Sequence, residues 1–303
     1  MPTLSIELFE KNLAQFDTVF LATPADVSME LAPRLLATGM QVIDLSGAFR
    51  LERGKFEKWY RIPHFCPDLI PQACYGLEPW AEITNSKKLI SNPGCYATSV
   101  LMALIPLIRS EIIDTETIII DAKSGTSGAG LKANEALLFN EVDSDCTPYR
   151  VGTHQHLPEI TEQLDLLTGV RINPHFSTSL LPLRRGIISA LYLNPGTRLK
   201  SRGDEEIITE IDHALYEAYT NYPLIRFGRL GRSAAQDRSL LSLKKVAGSP
   251  RTHLSYTVES GKIYVFSLID NLLKGASSQA IENWNRINGF SIDSGLNQNE
   301  GQL

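Results

Sequence analysis

One cysteine stands where a strand runs into a helix, the position in this chain best suited to covalent chemistry. Cys95 closes the run Ser91-Asn92-Pro93-Gly94-Cys95, and the apolar residues 96–108 that follow read as a buried helix. A thiol in the first turn of a helix faces unpaired backbone N–H groups and the positive end of the helix dipole. Both favour thiolate over thiol and would lower the pKa. Gly94 lets the chain turn sharply and lets a substrate approach, and the same amides can hold an oxyanion. An arbitrary cysteine is more often buried and inert; the Pro-Gly turn into a helix argues for a nucleophile.

A thiol mechanism needs a proton shuttle. Val151-Gly152-Thr153-His154-Gln155-His156-Leu157-Pro158-Glu159 offers two histidines two residues apart, which would share one face of an extended segment. Surface histidines or a metal pair would give the same spacing. A metal asks for a third ligand, and no Cys-x-x-Cys or His-Glu-x-x-His spacing supplies one, so no metal site is expected. Lys123-Ser124-Gly125-Thr126-Ser127-Gly128-Ala129-Gly130 is a small-residue loop whose amides could approach a phosphate or a nicotinamide. Its glycine spacing is not that of a dinucleotide fingerprint. Arg50, Arg184, Arg185 and Arg251 are the arginines considered for an anionic substrate, with Pro182-Leu183-Arg184-Arg185-Gly186 the best placed, entering a strand. His64, His175 and His213 have no such context.

The elements that must position these groups follow from periodicity. Residues 18–23, 41–45 and 88–91 read as strands, with a helix at 26–38 stopped by Gly39. Strand, helix, strand at this length is a βαβ unit and predicts a parallel sheet. Residues 50–86 read as a long polar and aromatic excursion outside the sheet. Further strands are expected at 117–122, 187–193 and 262–268, with helices at 205–219 and 276–287.

Bulk properties set the class. A chain of 303 residues suits two domains, and 29 basic against 34 acidic residues give a net charge of −5. Mild acidity gives no reason to expect nucleic acid or anionic membrane as a partner. No window approaches about 18 consecutive apolar residues, so no membrane span is expected. The first residues show no basic-then-apolar export signal, which makes the cytoplasm the default. Four cysteines in a chain this long do not suggest a disulfide scaffold.

Six segments in order then resemble one family. Residues 19–24, 42–50 (Val-Ile-Asp-Leu-Ser-Gly-Ala-Phe-Arg), 91–96, 121–130, 154–160 and 270–279 (Asp-Asn-Leu-Leu-Lys-Gly-Ala-Ser-Ser-Gln) are similar to the N-acetyl-γ-glutamyl-phosphate reductases of arginine biosynthesis. These belong with aspartate-semialdehyde dehydrogenase among the acyl-phosphate reductases, and the likeness runs from about Phe16 to Leu296. The resemblance implies an α/β fold, with a truncated Rossmann-type parallel-sheet domain over 1–94. An α+β catalytic and dimerisation domain over 95–269 and a C-terminal helix over 270–303 that returns to the first domain complete it. It implies an NADPH-dependent reduction of a small-molecule acyl phosphate through a Cys95 thioester, in a homo-oligomer. His154 would be the acid/base, with His156 holding substrate. Arg185 would meet the anionic end of the substrate, with Arg50 and Asn92 also on the substrate side. Ser127, Gly128, Asn271 and Gly275 would line the cofactor pocket.

One departure shapes the expectation. Family members open with a Gly-x-x-Gly-x-x-Gly loop after a first strand, and here the likeness starts past it, roughly 70 residues into an ordinary dinucleotide half. A shortened chain that binds NADPH poorly, or serves as a non-catalytic subunit, is one alternative. A sibling reductase for aspartyl or aminoadipyl phosphate is another.

Overall fold

The computed structural model describes residues 15–130 and 134–296. The segment before Phe16, where the sequence shows no glycine-rich loop, lies largely outside them. Two sheets organise the chain. The first has four parallel strands in the order β1-β2-β4-β3: β1 (Thr18–Leu21), β2 (Gln41–Asp44), β3 (Cys74–Tyr75) and β4 (Leu89–Ser91). Helix α1 (Ala25–Ala37) makes the crossover from β1 to β2 and buries Met29, Ala32 and Leu35 against one face. Helix α2 (Arg53–Tyr60) follows β2 and adds Phe56 to that core.

The stretch 50–86 is therefore not wholly outside the sheet. Cys74 and Tyr75 pair in parallel with Ile90 and Ser91 and form an edge strand. Two residues leave no alternation to read, so no periodicity announced it.

The second sheet has seven strands in the order β6-β7-β5-β8-β11-β10-β9. They are β5 (Ile113–Ser124), β6 (Thr147–Tyr149), β7 (His175–Leu180), β8 (Ile187–Pro195), β9 (Ile225–Arg229), β10 (Thr252–Glu259) and β11 (Lys262–Ile269). The pairing is mixed, parallel for β5/β7 and β9/β10 and antiparallel elsewhere. Helix α3 (Cys95–Arg109) lies between this sheet and α4 (His156–Thr168), and every residue from Tyr96 to Ile108 is buried. Apolar side chains on all faces are what such a central helix requires. Helix α5 (Asp204–Tyr219) packs beside it, and α6 (Ala234–Leu241) follows β9.

The last helix, α7 (Ser278–Ile287), turns back to the first sheet. Ala280 and Ile287 join Ile43 and Ile90 in a third apolar cluster. Trp284 Nε1 donates to Thr18 Oγ1 at 3.3 Å, which ties the end of the fold to β1.

The histidine segment corrects an expectation. It is not extended: His154 sits in the turn before α4, and His156 is the first helical residue. Pro158 falls where helical N–H groups have no intrahelical partner, so it starts the helix without loss of a hydrogen bond. Leu157, Ile160, Leu164 and Leu167 have helical spacing, and Gly169 closes the helix in the left-handed region at φ 73°.

Candidate active site

Cys95 is the first residue of α3 and opens onto a cleft of about 630 Å³. The loop after β5, the turn before α4 and the segment after β11 supply its walls. Arg50, His154, His156, Gly128, Asn271 and Gly275 line it together with Cys95. Asn92, Ser127 and Arg185 do not, and each has a different use. Asn92 is fully buried, donating from Nδ2 to Ala276 O at 3.1 Å and accepting from Asn283 Nδ2 at 3.0 Å. Ser127 Oγ accepts from Asn271 Nδ2 at 3.0 Å, behind the cleft wall. Arg185 lies 3.7 Å from the buried carboxylate of Asp270. The second arginine of the cleft is instead Arg150, which sequence reading passed over.

Glu159, which no motif singles out, braces the turn into Cys95. Fully buried, its Oε1 accepts the Gly94 N–H at 2.7 Å and the Tyr75 hydroxyl at 2.7 Å. Its Oε2 lies 3.5 Å from Arg50 Nη1. Arg50 in turn donates from Nε to Asn92 O at 2.8 Å and from Nη2 to Leu45 O at 2.7 Å. A buried carboxylate without such partners would be costly. Glu159 stands three residues past His156, in helical register with it, and that spacing was the available signal.

Two glycines are required by close approach. A Cβ on Gly94 would meet His156 Nε2 at 2.4 Å and Arg50 Nη1 at 2.8 Å. A Cβ on Gly275 would lie 2.7 Å from the Cβ of Cys95. Gly275→Ala should therefore displace the thiol and lower kcat/KM by about tenfold or more, since small misplacements of reacting groups are costly. Steady-state kinetics on the purified variant would check this, and unchanged kcat/KM would remove Gly275 as a positioning contact.

The segment that carries Gly275 is a π-turn, Leu273–Ser277. Gly275 N–H donates to Asp270 O and Ser277 N–H to Leu272 O, both at 2.9 Å. Lys274 points from it into the core, fully buried, with Nζ bonded to Glu282 Oε2 at 2.8 Å, to Gln279 Oε1 at 2.6 Å and to the Tyr222 hydroxyl.

The electrostatics of the free cleft run against one sequence expectation. Burial pushes the Cys95 thiol up to about 11, although it keeps partial exposure to the cleft. Arg50 and the backbone N–H groups of Tyr96 and Cys95 do lower it, as a helix start should, but burial outweighs them. Burial also pushes His154 down to about 2 and His156 down to about 3, helped at His156 by Arg50 and at His154 by His156. Both rings are therefore neutral at pH 7. His154 Nδ1 accepts the backbone N–H of His156 at 3.2 Å, which places the ring proton on Nε2. His156 Nδ1 is buried with no hydrogen-bond partner.

These depressed values carry a stability consequence. The unfolded chain takes up protons on both histidines as pH falls through their ordinary 6.5, while the folded chain does not until about 3. Stability is present above pH 6.5 and is lost below it, by up to about 1.4 kcal/mol per pH unit for each histidine. Urea midpoints at pH 7 and pH 5 should differ more for the native chain than for a His154→Asn/His156→Asn variant.

Comparison with known proteins fits this geometry. A family model described as semialdehyde dehydrogenase, NAD binding domain, matches residues 3–87, and one described as semialdehyde dehydrogenase, dimerisation domain, matches residues 95–271. Over 299 residues the chain is 40% identical to the N-acetyl-γ-glutamyl-phosphate reductase of Shouchella clausii, covering 97% of this chain and 82% of that protein. The chain belongs to this reductase family. A Staphylococcus aureus protein of the same name is 38% identical over 287 residues, covering 93% and 79%. Aspartate semialdehyde dehydrogenase II of Vibrio cholerae superimposes with a TM-score of 0.64 at 15% identity, covering 90% of this chain and 80% of that one. The Francisella tularensis aspartate semialdehyde dehydrogenase gives 0.63 at 15%, covering 92% and 83%. At that identity these two speak for the fold alone. Among the reductase family's expected site residues, the cleft of this member gathers the thiol, both histidines, Arg50, Gly128, Asn271 and Gly275.

Proposed function

We propose that this chain reduces N-acetyl-γ-glutamyl phosphate to the semialdehyde and phosphate with NADPH, through a thioester on Cys95. The observation that carries it is the single cleft that joins a helix-start thiol, a neutral histidine with its proton on Nε2, and two arginines. The Cys95 sulfur bonds to the acyl carbon and the carbon–oxygen bond to phosphate breaks. The thiol proton leaves on the departing phosphate, because His154 already carries its proton on Nε2 and commits Nδ1 to the His156 N–H. When bound, NADPH would supply the hydride for the thioester carbon. His154 donates its Nε2 proton to the developing oxyanion, takes it back as the carbon–sulfur bond breaks to release the aldehyde, and the cysteine leaves as thiolate that water reprotonates. His156 packs on Gly94 and sets the approach to the thiol, while Arg50 and Arg150 meet the substrate's anionic groups.

The cofactor side fits the resemblance. Gly128, Asn271, Gly275 and Ala276 give part of the cleft wall short side chains, and Asn271 is fixed by accepting the Gly186 N–H at 2.8 Å. Gly128, Asn271 and Gly275 would hold the nicotinamide end, with Ser127 orienting Asn271. We assign residues 1–94 to the dinucleotide side, 95–269 to the catalytic and dimerisation domain, and α7 to the return. The outward face of the seven-stranded sheet, where Ile119 and Tyr192 are about two-fifths exposed, suits a second copy in a homo-oligomer. No helix among the described residues is long and apolar enough to cross a membrane. An NADPH-dependent biosynthetic step suits the cytoplasm.

The test is reductase turnover with purified chain, run in the reverse direction from the semialdehyde, phosphate and NADP and followed by NADPH absorbance. Turnover with the N-acetylglutamyl substrate, and little with aspartate semialdehyde, is the expected result. A reversed preference would favour the sibling reductase, and no turnover with either would favour a non-catalytic subunit.

A further inference from the structure

A second cavity of about 770 Å³ lies against the Cys95 cleft. Lys58, Trp59 and Arg61 line it from the end of α2, and Arg150, Thr153 and Gln155 from the turn before α4. Arg150 and Gln155 line the Cys95 cleft as well, so the two spaces share a wall.

Its charge is one-sided. Three cations face the cavity and no carboxylate lines it, in a chain whose net charge is −5. Among the described residues, neither the Lys58 nor the Arg61 side chain has an ion pair or a hydrogen bond. The Arg150 guanidinium is held by Gln155 Oε1, a neutral partner. Surface cations are usually just solvated, but they are then usually spread out or paired. Like charges gathered around one concavity repel, and low-dielectric walls focus their field into it.

Backbone geometry gives a second, independent sign. Arg61 has φ 59° and Arg150 has φ 47°, both in the left-handed region. They are two of five non-glycine residues with positive φ among the described residues. Arg61 is the C-cap of α2, a position that glycine or asparagine fills with less strain. The backbone therefore does not ask for arginine at either place. Strained positions that keep a demanding side chain gather at ligand clamps.

We propose that this cavity is an anion-capture site, which binds the acyl-phosphate substrate through Lys58, Arg61 and Arg150 before it reaches Cys95. The proposal rests on the substrate class proposed above. That substrate carries a carboxylate and a phosphate, and both suit arginine forks and a lysine point charge. Trp59 forms part of the wall against which the bound ligand lies.

Trp59 also reports on the site, being one of three tryptophans. Titration of the full chain with inorganic phosphate, read by intrinsic fluorescence, should give a saturable change that Trp59→Phe removes. Lys58→Ala/Arg61→Gly should weaken phosphate binding about tenfold or more. In turnover the same variant should raise KM for the acyl phosphate about tenfold with kcat within about twofold, and flatten the fall of kcat/KM with ionic strength. Arg61→Gly alone should raise the melting temperature while it raises KM, because it removes strain and charge together. A purely structural arginine would lower the melting temperature and leave KM alone. Phosphate binding and KM at native values in the double variant would overturn the proposal, as would native fluorescence that ignores phosphate. If phosphate binds as described but the native chain shows no reductase turnover, the functional reading fails and the site stands.

Discussion

A Cys95→Ser chain should lose reductase turnover by roughly 10⁴-fold or more, the scale seen when a covalent nucleophile is removed. Serine keeps the size and the helix-start amides but not the easily ionised, polarisable sulfur. The informative readout is the intermediate. Without NADPH, the native chain mixed with acyl phosphate should gain the mass of one acyl group, and Cys95→Ser should not. Acyl transfer to the serine variant at the native rate would remove Cys95 from its role. Alkylation in the free state follows from the burial that pushes the thiol up to about 11. Iodoacetamide labelling at Cys95 should be slow near pH 7 and rise about tenfold per pH unit until that value is approached. Fast labelling at pH 7 would mean that the helix-start amides and Arg50 win over burial.

Lys274→Met should be the most destabilising single change outside the cleft, by about 3–5 kcal/mol, because it leaves a carboxylate buried without its counter-charge. Lys274 and Glu282 are both fully buried, and burial pushes the lysine down and the glutamate up while each opposes the other's shift. Tyr222 and Gln279 complete the cluster. Urea unfolding at pH 7 would measure the loss, and a cost below about 1 kcal/mol would mean the charges are not held as described. Replacing both partners by apolar residues should restore most of it. The cluster also anchors the π-turn that sets Gly275 against Cys95. A Lys274→Met protein that still folds should therefore lose kcat more than it changes KM.

Much of the fold was legible in local pattern. Short apolar runs bounded by turn residues marked β1, β2 and β4, and the all-round apolar stretch after Cys95 marked α3. Strands β7, β9 and β10 were not read. Ser177, Ser179, Ser255 and Thr257 interrupt β7 and β10, and Arg226 and Arg229 fall within β9, so none presents a continuous apolar run. Helix α4 begins at the second histidine of a pair that reads as extended, and Pro158 and Gly169 punctuate it at both ends.

By itself the sequence singled out Cys95 as the candidate nucleophile, because the strand–Pro-Gly–Cys–helix arrangement is written in neighbouring residues. It singled out His154 and His156 as the candidate proton shuttle from their spacing two residues apart. Only tertiary structure decided what surrounds them. Glu159 reaches Gly94 across 65 positions of sequence, and Gly275 meets Cys95 from the far end of the chain. Arg185 turns to Asp270 and leaves the cleft's cationic wall to Arg50 and Arg150. The thiol's pKa followed the same division. Helix-start amides, a local feature, lower it, while burial by elements distant in sequence raises it, and the second effect is the larger. Spacing along a chain fixes which groups are available, and only packing fixes their distances and how much water they keep.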